Sequence, residues 1–505
     1  MMSEAPIRMV NEKYKTEFVF LLIILFSAAF FRLWKIDQYL PFLGDEGRDV
    51  RIVYRFLTQF DLMFIGPRTS IGDMYLGPLY YYFISPWLFL FRFSPVGPAV
   101  SVAVLGTATV AFIWCIARLW FGKTGALVAA LLYAVSPTVI SLSKHSWNPN
   151  IMPFFALLSI WSMWKVWKDK QYRWLVVLGI SYAFVLQSHY LGLLLLPTLG
   201  LLWVLGWLGA RKSHKQKGFL VSSFLGFFVF VTLMSPLVIF DSKHGWHNFD
   251  SMYIFFTHRQ ETVSAKPWSS LPLIWPLWEQ VNTSLIAAGN KMFGMIASTI
   301  LATFILFKLL RRDKNIPAVV YLSLWIGVSL IGLGSLKQNI YDHYFGFLFP
   351  VPFLLIGAVS QGFWEGRKYG KIGVMGVIGS ILLLNLVNSP LKNLPQNQLK
   401  RTENIDRKIL QEAGGKPFNI GLIAERNYDE GYLYFFDFWK SPVKEADPQH
   451  KEETVTDQLF VICEKQDCSP TTDSSSQIAH FGMSKVANSW EVQGVKIYKL
   501  AHFNP

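Results

Sequence analysis

EFVFLLIILFSAAFFRLWKIDQYLPFLGDEGRD, residues 17–49, decides how this chain is read. Its first twenty positions are nearly all apolar. That is the length a helix needs to cross a hydrocarbon layer of about 30 Å at 1.5 Å per residue. Gly44-Asp45-Glu46-Gly47-Arg48-Asp49 follows within a few residues. Adjacent carboxylates are strongly hydrated, and charge held at a membrane boundary is by default a pointer to a functional site.

Long apolar stretches recur as far as residue 389. The 505-residue chain is 52% hydrophobic, 16% aromatic and only 16% charged, where a soluble domain carries about a quarter charged residues. A polytopic α-helical membrane protein follows. The net charge of +14 is uneven: residues 390–505 hold 14 Lys/Arg against 16 Asp/Glu, leaving 33 against 17 in the first 389. The excess lies in short clusters between apolar spans. Cytoplasmic membrane loops show this pattern, and nucleic-acid binding is not needed to explain it.

Eleven spans are expected, at about 17–36, 97–117, 124–143, 150–167, 173–189, 191–210, 218–239, 284–307, 316–335, 344–363 and 371–389. The apolar segment Leu79–Phe93 is short and contains Pro86, so it reads as an interfacial or re-entrant helix. With the N-terminus in the cytoplasm, this count puts every basic cluster inside: Arg118/Lys123, Lys165–Arg173, Arg211–Lys217, Lys308–Lys314 and Arg367–Lys371. A twelfth span at 79–93 would put all five outside. The N-terminus carries no cleavable signal in this reading, because Met1–Lys15 is polar and the next apolar stretch is long enough to span.

The same parity places Asp45-Glu46, Lys144–Pro149, Gln187–Tyr190, Asp241–His244 and Lys337–Tyr344 on the outer face. Residues 1–389 read as the membrane domain. Residues 390–505 read as a small extracytoplasmic α/β domain, with a helix over 400–413 and strands at Phe418–Ile423, Leu459–Cys463 and Val495–Leu500. Cys115 sits within a span. Cys463 and Cys468 either form one local disulfide or stay as two thiols.

An acidic pair opening a long outer loop after the first span resembles the GT-C glycosyltransferases. Within them it resembles the bacterial branch of glycosyltransferase family 39, which is close to the protein mannosyltransferases, the aminoarabinose transferases and the Rgt-type enzymes. The matching stretches are Gly44-Asp45-Glu46, Gly77-Pro78-Leu79-Tyr80-Tyr81-Tyr82, Ala117-Arg118-Leu119-Trp120-Phe121-Gly122, Ser136-Pro137 and Trp147-Asn148-Pro149-Asn150. The likeness covers most of residues 17–389 and leaves the C-terminal part without a family signal. It implies a GT-C fold of about eleven transmembrane helices plus interfacial helices in the first outer loop. It also implies an enzyme of the plasma membrane that takes a sugar from a polyprenyl-phosphate donor and passes it to an acceptor hydroxyl, the acceptor being a glycan, a lipid or a protein.

Such chemistry needs a base for the acceptor proton and cations or donors for the leaving phosphate. Asp45 matches the family's first acidic residue and is the expected general base, with Glu46 in support. The alternatives for both are a helix cap and a solvated charge. Arg48 and Arg51 would hold phosphate or neutralise the acidic pair, and Asp73 would add a second acid or simply make a turn. Lys144, His145, Asn148, His189, Lys243, His244, Asp342, His343 and Tyr344 are the candidates for donor phosphate or sugar binding, with His258 and Arg259 further along the same long loop. Their plainer readings are interfacial anchoring and helix ends. At Lys144 the chain departs from relatives that carry arginine or a further aspartate. No cofactor is certain, no metal ligand set has tight spacing, and a divalent cation at Asp342-His343 is a minor expectation. The aromatic runs Tyr80–Phe83 and Phe435–Trp439 read as interfacial belts or packing. Two rival readings are a transporter or lipid flippase, which would show inverted repeats that are absent here, and a non-catalytic glycolipid-binding relative.

Overall fold

The structure, a computed structural model, describes residues 12–69, 74–257, 267–311, 316–366 and 368–503. Asp73, His258 and Arg259 lie outside them, as do Arg312, Lys314 and Arg367 of the basic clusters. Among the described residues, seven helices are long and apolar enough to cross a membrane: Lys15–Leu33, Val96–Trp120, Tyr190–Lys212, Gln216–Lys243, Lys291–Arg311, Ile316–Gly334 and Tyr369–Val387. Two more arise if bent pairs each count as one span: Lys123–Val135 with Pro137–Ser143, bent by 61°, and Asp342–Leu348 with Pro350–Trp364, bent by 54°. The chain is a multi-pass membrane protein. The length test stops at nine, short of the eleven expected. The expected spans at 150–167 and 173–189 are the helices Met152–Trp167, 16 residues, and Trp174–Ser188, 15 residues. At 1.5 Å per residue these run about 22–24 Å. A 3-10 turn at Asn148–Ile151 and the extended His189 shorten them.

The segment Leu79–Leu90 is a 12-residue helix, too short to span, in keeping with its expected interfacial or re-entrant form.

The chain divides into two compact units. The first comprises Met1–Trp34, Phe64–Tyr80 and Ser101–Leu394. Its bend at Ser136-Pro137 has a definite cause. Proline cannot donate to the preceding turn, so carbonyls there lose their partners. The Arg32 guanidinium, fully buried on the first helix, takes them up: Nη1 donates to the Ala134 carbonyl at 3.0 Å and Nη2 to the Tyr133 carbonyl at 3.3 Å. A cation at a helix C-terminus also complements the dipole. On the same helix, Glu17 pairs with Arg118 Nε at 2.7 Å. Helices approach closely where both faces are bare. A Cβ on Gly179 would lie 2.1 Å from the Gly226 carbonyl oxygen, the small-residue contact by which apolar helices pack without a hydrophobic driving force.

The second unit comprises Lys35–Met63, Tyr81–Val100 and Pro395–Pro505. Its sheet has the order β1-β2-β4-β3, with β1 Asn419–Ile423, β2 Gln458–Cys463, β3 Ser484–Val492 and β4 Val495–His502. β1 and β2 are parallel, and the other pairs are antiparallel. Side chains alternate along β2. Phe460 and Ile462 join one core with Ile405 and Ile409 of the helix Gln398–Ala413 and with Tyr432 and Phe436 of the helix Glu430–Phe438. Leu459, Val461 and Cys463 join the opposite core with Ile478 and Phe481. Tyr434, Phe435 and Phe436 are buried, so this aromatic run is packing and not a membrane belt. Cys463 and Cys468 are joined as a disulfide, with Cα atoms 6.3 Å apart. β3 carries no strand expectation because seven of its nine residues stay largely outside both cores. It pairs through a two-residue turn, Gln493-Gly494, with positive φ at both positions.

Candidate active site

The candidate residues fall into two groups, one in each unit. In the second unit, Asp45 and Glu46 sit in the first turn of the helix Gly44–Gln59, where carboxylates favour the exposed amides and the dipole. Their environments differ. Glu46 is buried, and its carboxylate reaches back to the Leu43 amide at 2.9 Å, as in a capping box. Asp45 keeps 40% of its side chain exposed. Asp45 Oδ1 accepts from the Tyr428 hydroxyl at 2.5 Å and from Arg48 Nη1 at 2.8 Å. Among the described residues nothing bonds its Oδ2.

Arg48 is shared. Nε and Nη2 donate to Asp49 Oδ1 at 3.0 and 2.7 Å, and Nη1 also reaches the Tyr428 hydroxyl at 3.0 Å. Asp49 is fully buried, and burial pushes its carboxyl up to about 6 against the pull of Arg48, with Asp45 and Glu46 adding to the rise. Burial opposes the Arg48 charge, but Asp49, Tyr81, Tyr428 and Asp45 together more than offset it. Arg51 has other partners. It donates to Asp437 at 2.7 Å, to Glu430 at 3.0 Å and to Glu445. The acidic pair is therefore not what Arg51 neutralises.

The glycines beside the pair have a steric role. A Cβ on Gly44 would lie 2.4 Å from the Tyr428 ring, and one on Gly47 would lie 2.3 Å from Gly431 backbone atoms. Gly44 N–H donates to Asn427 Oδ1 at 2.8 Å. Gly44-Asp45-Glu46-Gly47 is thus a helix start shaped to accept the segment around Asn427-Tyr428 and the helix that follows it.

In the first unit, rings gather. His145 stacks on Trp147, with centroids 5.4 Å apart and planes at 14°. Trp147 meets His343 at 4.6 Å, and His343 meets Tyr344 at 4.6 Å and His189 at 6.1 Å. His189 lies 5.3 Å from Tyr344. His189 Nδ1 accepts from the Leu191 amide at 3.1 Å, which leaves the proton of the neutral ring on Nε2. His343 borders a narrow cleft with Tyr133, Ser143, Asn150 and Phe349. Lys144 donates to the Trp34 carbonyl at 3.2 Å, and burial lowers its ammonium to about 8. Asn148 is buried and donates to the Ser188 carbonyl at 2.6 Å.

Other candidates do not join this ring cluster. Asp342 borders a separate, wider cleft with Thr138, Glu279, Gln280 and Ser284. His244 stacks on Phe240 at 3.9 Å and bonds its carbonyl, and Lys243 ends the same helix. Among the described residues, no group of three or more His, Cys, Asp or Glu side chains is placed to hold a metal ion.

The sequence alone does not single out Asp49, Tyr81, Asn427 or Tyr428. Asp49 was within reach, since it stands four residues after Asp45 on the same helix face. Asn427 and Tyr428 lie more than 380 residues away in sequence, and only the fold brings them in.

Residues 76–235 match the family described as dolichyl-phosphate-mannose-protein mannosyltransferase. The Bacillus subtilis (strain 168) protein named "Putative mannosyltransferase YkcB" is 23% identical over 238 residues, covering 45% of this chain and 32% of that protein. Among solved structures, ArnT from Cupriavidus metallidurans bound to undecaprenyl phosphate aligns over 97% of this chain and 98% of its own, with a TM-score of 0.59 at 12% identity. The chain has the GT-C fold of this ArnT. The apo form of the same ArnT gives a TM-score of 0.60 at 13% identity over the same shares. The archaeal oligosaccharyltransferase AglB from Archaeoglobus fulgidus, in complex with an inhibitory peptide and a dolichol-phosphate, gives 0.51 at 12% identity, over 89% of this chain and 69% of its own. At these identities the structural likeness carries the GT-C fold alone. The chain spans about a third of the length of the curated relative it matches.

Proposed function

We propose that this GT-C protein is a membrane glycosyltransferase that moves a sugar from a polyprenyl-phosphate donor to an acceptor hydroxyl, with Asp45 as general base. In this reading the N-terminus is cytoplasmic, and residues 390–505 form a domain on the extracytoplasmic face of the plasma membrane. The observation that carries the role of Asp45 is its asymmetry. One carboxylate oxygen is held by Tyr428 and Arg48, while the other has no partner among the described residues and the side chain is 40% exposed. A base needs such an oxygen within hydrogen-bond reach of the proton it takes. Glu46, tied to the Leu43 amide, is support. Lys144, whose amine is partly desolvated, and the rings of His145, His189, His343 and Tyr344 are assigned to the donor's phosphate and sugar. The solved relatives bound to undecaprenyl phosphate or dolichol-phosphate support this donor class.

The test is Asp45→Asn in full-length protein reconstituted into liposomes. A panel of undecaprenyl-phosphate-linked hexoses and pentoses, labelled in the sugar, serves as donor, and membranes from a strain deleted for the gene serve as acceptor. Transfer from one of these donors by wild type and a loss of about 10²–10⁴-fold in the variant is the expected result. Wild-type transfer by Asp45→Asn removes Asp45 as base.

A further inference from the structure

We propose that Tyr428 is a positioning residue for Asp45, so that the C-terminal part of the chain completes the acidic site. The inference rests on the reading of Asp45 as the base.

Three observations converge on the dipeptide Asn427-Tyr428. The Tyr428 hydroxyl donates to Asp45 Oδ1 at 2.5 Å, a short charge-assisted bond. Its ring lies where a Cβ on Gly44 would stand, so glycine at 44 is what admits it. Asn427 Oδ1 accepts from the Gly44 amide at 2.8 Å, covering one of the amides a helix start leaves open. Asn427 is held in turn: its Nδ2 donates to both Glu464 oxygens at 3.1 Å, and the Tyr432 hydroxyl bonds the same carboxylate at 2.6 Å. Glu464 directly follows Cys463 of the disulfide. The line runs from β2 through Glu464 and Asn427 to the first turn of the helix that carries Asp45.

The chemical effect is specific. Two donors on Oδ1 fix the carboxylate plane and turn Oδ2 outward. Tyr428 is suited to this because its own ionisation is displaced upward, first by burial and then by the neighbouring Asp45 and Asp49, despite the pull of Arg48. Its phenol stays a donor throughout the working range. Packing alone needs the ring and not the hydroxyl.

The test reads Asp45 directly, without a donor. Only a protonated carboxyl reacts with a water-soluble carbodiimide, so the pH dependence of labelling at Asp45, followed by peptide mass spectrometry on the full-length protein, reports its protonation midpoint. Tyr428→Phe keeps the ring, takes one donor from the carboxylate and should move that midpoint upward. 3-Fluorotyrosine placed at 428, a stronger donor, should lower it. Gly44→Ala, which displaces the ring, should act like Tyr428→Phe. Sugar transfer by Tyr428→Phe should fall about tenfold, with the thermal unfolding midpoint unchanged. A labelling midpoint that stays at the wild-type value in both Tyr428→Phe and the fluorotyrosine protein overturns the inference. Its failure is separable from that of the base reading: wild-type transfer by Asp45→Asn with shifted labelling midpoints would discard the base and keep the positioning. An inactive Asp45→Asn with unmoved midpoints would do the reverse.

Discussion

Asp49 shows how much of the acidic site is hidden from solvent. It is fully buried, paired to Arg48, and pushed up from the usual 3.8 to about 6, chiefly by burial. Between those values the folded protein holds a proton on Asp49 that the unfolded chain has released. Its contribution to stability is therefore complete at low pH and is lost as pH rises through about 6. The size is up to about 3 kcal/mol for a shift of this order. Asp49→Asn keeps the shape and cannot ionise. Its thermal unfolding in detergent should lack the downward slope expected of wild type between pH 4 and about 6. An unchanged slope would mean that Asp49 is not the group responsible. Asp49→Ala should be worse than Asn at every pH, because it also removes the oxygen that accepts from Arg48 Nε and Nη2, and buried donors left unmet cost about 1–3 kcal/mol.

At the scale of elements, the close contact is between the helices Gly44–Gln59 and Glu430–Phe438. A Cβ on Gly47 would stand 2.3 Å from Gly431 backbone atoms and 2.6 Å from the Glu430 carbonyl carbon, and backbone cannot swing aside as a side chain can. Gly47→Ala should therefore force the pair apart and lower stability by more than about 2 kcal/mol, in the range of overpacked cores. Gly376 is also helical, and a Cβ there would meet nothing within 4 Å. Gly376→Ala should therefore be neutral or gain up to about 1 kcal/mol from helix propensity. Equal unfolding midpoints for the two alanine variants would remove the steric argument. This pair also marks what the sequence discloses. The apolar spans, the 12-residue helix after Gly77-Pro78, the helix near 400–413 and three of the four strands are legible because each carries a period or a length of its own. β3 is not, because an edge strand lying mostly outside both cores has no such pattern. Asp45 stands out because charge beside an apolar span is conspicuous. Tyr428 does not, because nothing local distinguishes a tyrosine that meets its partner only through the fold. The role of Arg51 is hidden for the same reason, its three carboxylates being distant in sequence.

At the scale of the molecule, the open quantity is the number of crossings, and its parity matters more than its value. Seven long helices, nine with both bent pairs, and eleven with the two short helices Met152–Trp167 and Trp174–Ser188 are all odd. In the proposed topology an odd count puts the two ends of the chain on opposite sides. The side is chosen by charge. With all eleven, and only then, Arg118/Lys123, Lys165–Arg173 and Arg211–Lys217 share the proposed cytoplasmic face with the N-terminus, where short basic loops stay. The disulfide agrees, since Cys463–Cys468 would persist only in an oxidising compartment. In that topology Ser213, between two long spans and among these basic residues, reports the face opposite the disulfide. In spheroplasts of cells making a Cys115→Ser, Ser213→Cys protein, a membrane-impermeant maleimide should label Cys463 and Cys468 only after reduction, and position 213 only after the membrane is opened. Labelling at 213 in intact spheroplasts would invert the topology, and it would place Asp45 on the cytoplasmic side, where the proposed acceptor chemistry could not occur.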